Sequence, residues 1–233
     1  MPSKAKITPG MRLRLGASLL AAARAIDTRL VKRRLERFER AHRGYAAAQR
    51  RVEVADAKLR ASQRYVAECD AIQDEAVEAL ARALVGDGAS RQNPFAAFGV
   101  PAPGTLVRLP FAEAAKAVHR LVATLGRSET ADKGTGEAAR AAERAARVVE
   151  QALGPVETLG QTVRDARRMR DALVHDWHSA LAALRRATRS AADDGAPLLH
   201  ATLFPPESRR RTPPRRRSHE PSGAARAAPQ PGE

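Results

Sequence analysis

Small and apolar residues recur along this chain in steps of three and four, and no proline interrupts residues 11 to 85. From Phe38 the series runs Phe38, Ala41, Tyr45, Ala48, Val52, Ala55, Leu59, Ser62, Val66, Cys69, Gln73, Ala76, Leu80, Ala83. That alternation is the heptad a/d pattern of a coiled coil, so it predicts a helix that packs along its whole length. Upstream, Leu19, Ala23, Ile26 and Leu30 are out of register with it, which marks a stutter or a change of packing partner near Leu30 to Leu35. Gly44 lies inside the pattern with no turn residues beside it. It reads as a tolerated glycine, costing about 1 kcal/mol relative to alanine, rather than as a kink. About half of the seam is Ala, Ser, Gln or Cys, so each turn buries little area and the helix needs a partner over most of its length.

The pattern predicts a long helix over about 12–85 and a connection over 86–110, broken by Gly86, Gly88, Pro94, Gly99, Pro101, Pro103, Gly104 and Pro110. Within that connection Phe95, Phe98, Leu106 and Val107 are expected to pack back onto a bundle end. Further helices are predicted over about 111–125, 137–153 and 155–192, with Gly154-Pro155 read as a stop followed by a new first turn. Leu198, Leu199, Leu203 and Phe204 form an apolar coda. Residues 1–10 read as a flexible N-terminus, 11–204 as one helical domain, and 205–233 as a disordered Arg/Pro-rich tail. The fold class is therefore all-α: an elongated antiparallel helical bundle, four-helix-like, around one very long helix. A break near Arg24 to Leu30 would make it a conventional four-helix bundle.

Composition sharpens this picture in one respect. Net charge is +15, and it is unevenly placed. Residues 11 to 60 hold 14 Lys or Arg against 5 Asp or Glu, and residues 205 to 233 hold 7 Arg against 3 Glu. Residues 61 to 85 reverse the sign, with Arg64 and Arg82 against Glu68, Asp70, Asp74, Glu75 and Glu78. Three readings of the excess stand: a solvated face, contact with a polyanion, or a partner protein, including a second copy whose acidic half meets this basic half. The preference for arginine over lysine fits a GC-rich bacterial genome and says nothing about the excess over acids.

Candidate chemistry is sparse. Asp171, His175 and His178 share one face if the last helix is regular, as metal ligands or, more simply, as an exposed Asp171–His175 ion pair. The acidic cluster between Glu68 and Glu78 is expected to pair with Arg164, Arg167, Arg168 and Arg170 of an antiparallel neighbour. Cys69, the single cysteine, sits on the seam as a buried thiol. No stretch is long and apolar enough to span a membrane. Residues 11–25 have a weak signal-like character, a minor alternative to cytoplasmic residence.

The expectation is a non-enzymatic interaction or scaffolding protein with no catalytic, cofactor or metal site, acting through a protein partner or self-association. The alternative is sequence-independent binding of nucleic acid or another polyanion. Its candidate residues are Arg33, Arg37 and Arg40 on the basic helix face, and Arg209, Arg210, Arg211, Arg215, Arg216 and Arg217 in the tail.

Overall fold

The computed structural model describes residues 7–127 and 132–205. These are helical with no strand among them: α1 (Pro9–Arg24), α2 (Lys32–Gly86), α3 (Pro103–Leu106), α4 (Phe111–Leu125), α5 (Lys133–Ala172), α6 (Val174–Asp193) and α7 (Pro197–Leu203). The 55 residues of α2 extend about 80 Å.

The expected continuous helix from about 12 is broken between α1 and α2, in the Arg24 to Leu30 stretch where the alternative reading put a separate N-terminal helix. Proline is not the cause. Asp27 accepts a hydrogen bond from the Arg29 backbone N–H (3.0 Å) and pairs with the Arg29 guanidinium (2.6 Å). This short side chain closes a local turn that competes with helix continuation. A single 3-10 turn, Arg29–Val31, then leads into α2. It buries Val31 and leaves Leu30, expected in the core, 61% exposed. α1 begins where Thr8 accepts from the Met11 N–H (3.3 Å) ahead of Pro9 in the first turn.

The second departure is at Gly154-Pro155, where two helices were expected and α5 runs through unbroken. Glycine before the proline lacks the Cβ that the proline ring would meet, and both residues are exposed, so the unpaired carbonyl can reach water. The break comes instead at Leu173, whose N–H bonds back to the Arg170 carbonyl (3.1 Å) in a single tightened turn. The expected 137–153 and 155–192 helices are thus redistributed as α5 and α6. Met169 is 62% exposed just before this jog.

α5 and α6 follow one another antiparallel to α2. Asp87 meets Thr135 (2.6 Å), Asp56 meets Arg167 (3.0 Å), and Gln49 meets Arg170 (3.1 Å). This register corrects the expected ion pairs: Arg167 pairs with Asp56, while the acidic stretch of α2 faces Ala141 to Val148.

Two separate cores lie along the rod. One joins Val66, Val77, Leu80 and Leu84 of α2 to α4, the first half of α5, and Phe95, Val100 and Leu106 of the connection. His119 of α4 lies 3.5 and 3.3 Å from Glu143 and Glu150 of α5 at its edge. The other joins Val31, Phe38 and Tyr45 of α2 to Leu19 and Ala23 of α1, Trp177 and Leu184 of α6, and Leu199 and Leu203 of α7. There Trp177 Nε1–H donates to His42 Nδ1 (3.3 Å). Burial holds the His42 pKa below its ordinary value, which favours the neutral acceptor. The signal-like segment is α1, with Leu19 and Ala23 in this core. Between the cores, α2 and α5 are joined mainly through Val52, Ala55 and Val163, with Leu59 half-buried.

Two glycines behave oppositely. A Cβ on Gly16 would overlap the His42 ring, whereas one on Gly44 meets nothing. Gly44→Ala is expected to stabilise the fold by about 1 kcal/mol. Gly16→Ala is expected to lower the melting temperature by displacing His42 from Trp177. Thermal denaturation with Trp177 fluorescence reads both.

Asp74 carries the other fold-level prediction. Burial first, then the neighbouring Asp70 and Glu78 charges, push its pKa from 3.8 to about 6. The folded state therefore holds this proton more tightly than the unfolded chain. The resulting cost is full above pH 6 and fades as pH falls towards 4. Asp74→Asn should raise the melting temperature at pH 8, and the gain should vanish near pH 4.

Candidate anion-binding groove

The N-terminal turns of α2 carry Lys32, Arg33, Arg34, Arg37, Arg40 and Arg43, because charged residues fill most positions between the buried Val31, Phe38 and Tyr45. Two of them meet α6. Arg34 and Arg37, one turn apart, form one wall of an open groove of about 430 Å³. Ser179, Ala183, Arg186, Ala187 and Ser190 of α6 form the other. The α6 residues recur at three- and four-residue steps, so they share one face. Half-buried Ala183 and Ala187 keep the floor shallow, while exposed Arg34, Arg37, Arg186 and Ser190 form the rim.

The groove owes its position to the aromatic core beneath it. Trp177 packs edge-on against Phe38, with ring centroids 5.6 Å apart, and this contact sets α6 against α2. The α6 residues Ala180 and Leu184 point inward, so Ser179, Ala183 and Arg186 face the outer edge of the α2–α6 seam.

Among the described residues, Arg34, Arg37 and Arg186 have no carboxylate within 4.0 Å. Three guanidinium groups and two hydroxyls converge there as hydrogen-bond donors, a set matched to the oxygens of a phosphate or sulfate. On the neighbouring edge, Arg12 donates to His178 Nε2 and to the Tyr45 hydroxyl, both at 3.4 Å. Burial, with Arg12 and His175 close by, holds the His178 pKa below its ordinary value. Arg185 stacks over Phe204, 4.9 Å from the ring centroid.

Of the candidate arginines, the structure brings Arg37 into the groove. Arg33 and Arg40 are exposed on the adjoining α2 face and do not line it. Arg209, Arg210, Arg211, Arg215, Arg216 and Arg217 lie outside the described residues. Arg34, Arg186, Ser179 and Ser190 were missed. The doublets Arg33-Arg34 and Arg185-Arg186 were visible in the sequence, but their convergence depends on the α2–α6 register.

The Asp171, His175 and His178 set is not assembled. Leu173 interrupts the helix between Asp171 and His175, Asp171 pairs with Arg170 (2.7 Å) rather than His175, and His178 turns to Arg12. Among the described residues no three or more His, Cys, Asp or Glu side chains are grouped to hold a metal ion. Cys69 is buried, and no described helix is long and apolar enough to cross a membrane. No protein-family model, curated protein or solved structure matches the chain.

Proposed function

We propose that this chain is a non-enzymatic, rod-like interaction protein that grips a polyanion, independently of sequence, at the basic end of its bundle. The observation that carries the reading is the α2–α6 groove, where Arg34, Arg37 and Arg186 converge without acidic partners among the described residues. A cation with no carboxylate to satisfy it keeps its full attraction for an external anion. The groove is open and carries no aromatic side chain, so it offers phosphate contacts without a platform for base stacking. The arginines at 209–217 would add to the same attraction. Cytoplasmic residence belongs to the same proposal.

The test is binding of the full chain to a fluorescent duplex DNA and, separately, to a heparin fragment, as a function of salt. Affinity should fall steeply with salt and be similar for unrelated duplex sequences. The Arg34→Gln/Arg37→Gln/Arg186→Gln variant should bind at least about tenfold more weakly and lower the logarithmic salt slope on DNA by about 2 to 3. All three positions are exposed, so circular dichroism should match the parent. An unchanged slope, or no binding at about 50 mM salt, would overturn the reading.

A further inference from the structure

The buried seam of α2 is not its only heptad series. Ala47, Arg51, Val54, Lys58, Ala61, Tyr65, Glu68, Ile72, Glu75 and Ala79 recur in alternating steps of four and three. They form a second stripe roughly 100° around the helix from the first. The stripe faces solvent: Val54 is 56% exposed, Tyr65 54% and Ile72 60%, and only Ala47 and Ala79 at its ends are half-buried. Among the described residues, Arg51, Lys58, Glu68 and Glu75 take part in no ion pair.

The order along the stripe is complementary to itself when reversed. With a second copy turned end for end about an axis level with Gln63, Ala47 falls opposite Ala79 and Arg51 opposite Glu75. In the same register Val54 falls opposite Ile72, Lys58 opposite Glu68, and Ala61 opposite Tyr65. Each layer pairs a residue of one heptad position with a residue of the other, as antiparallel helix pairs require. Every charge meets its opposite, and every apolar residue meets an apolar or aromatic one.

We infer that this stripe is the interface of an antiparallel homodimer, with two copies of α2 crossing at Gln63. Neighbouring surface fits the same occupant. Ile72 borders a shallow, mostly apolar groove of about 320 Å³, lined also by Cys69, Ala76, Ala145, half-exposed Val148 and one charged residue, Arg144. Val54 borders a groove of about 370 Å³ with Ala47, Ala55 and Thr162, which Arg50, Arg51 and Lys58 also line. The two grooves lie on either side of the axis, so Val54 of each copy reaches the Ile72 groove of the other. Charge decides against other occupants. A polyanion along the stripe is repelled by Glu68 and Glu75, and a polycation by Arg51 and Lys58. Only a surface with the reverse polarity satisfies all four, and the same stripe inverted is one. A twofold axis also makes the contact close on itself, so assembly stops at two.

The inference does not depend on polyanion binding, and its test reads mass alone. Light scattering and sedimentation of the full chain should show a dimer. Arg51→Glu/Lys58→Glu makes the stripe wholly acidic, and Glu68→Lys/Glu75→Lys makes it wholly basic. Each variant alone should be monomeric, with circular dichroism unchanged because all four positions are exposed. Mixed in equal amounts, the two should form a heterodimer, since every opposing pair is again of opposite sign. A wild-type chain that stays monomeric up to high micromolar concentration would overturn the inference. So would charge variants that dimerise like the wild type, or a mixture that stays monomeric.

Discussion

Everything in this structure follows from the need to cover one side of an 80 Å helix. Fifty-five residues of α2 cannot be held by their own hydrogen bonds alone, and the seam is rich in alanine, so each turn buries little. The chain meets this need with α5 and α6 laid end to end against α2, and with third helices only where they are short enough to fit. α4 thickens one end, and α1 with α7 thickens the other. The middle stays two helices thick. The large side chains follow the same division: Phe38, Tyr45 and Trp177 occupy one core and Phe95 the other, leaving Val52, Ala55 and Val163 between them.

This arrangement tolerates buried polar groups unevenly. His42 is satisfied by Trp177, and its close approach to Gly16 lets α1 lie directly on α2. Gln73 is fully buried at a seam position, and neither polar atom of its side chain has a partner in the structure. Such a residue costs about 1 to 3 kcal/mol in desolvation. Its neighbour Asp74 is held above its ordinary pKa by burial and by Asp70 and Glu78. The acidic half of α2 is therefore the less comfortable half, and stability there comes from the apolar cluster of Leu80, Leu106 and Leu121.

The periodicity from Phe38 to Ala83 was legible in the sequence because a heptad pattern is a statement about one helix face, and that face is buried. The packing of Phe95 and Leu106 was legible because large apolar residues in a loop have nowhere else to go. The breaks were legible only in part: a separation near Arg24 to Leu30 stood as an alternative without its cause, and the break at Leu173 was not foreseen. Asp27 ends α1 through a hydrogen bond to its own backbone neighbour, a local competition that hydrophobic spacing does not record. Pro155 continues α5 because Gly154 precedes it and both face solvent, whereas the same pair reads as a stop when exposure is unknown. The α2–α6 groove was half legible. Arg37 stood out in a basic run, but Arg186 joins it only through a register set by Trp177 and Phe38. The expected pairing of the acidic cluster with Arg164 to Arg170 failed for the same reason: charge pattern names candidates, and register chooses among them.

The charge polarity of α2 acquires a single explanation when the two proposals are set together. A basic stretch near Arg37 and an acidic stretch near Glu75 repel their own kind, which is of no use to a solitary rod. In an antiparallel pair the acidic half lies along the partner's middle, where it neutralises Arg51 and Lys58. The basic ends stay outside that overlap, one at each extremity. Their Arg37 residues would then stand about 80 Å apart, each beside an α2–α6 groove. Two grips on one rigid body raise the local concentration of the second contact once the first is made, provided the anionic surface spans that distance. A weak, shallow groove suffices under those conditions, which is consistent with an open groove whose polar lining is three arginines and two serines. The polarity of one helix can thus serve both assembly and attachment, because reversal of the partner separates the charges that pair from the charges that remain free.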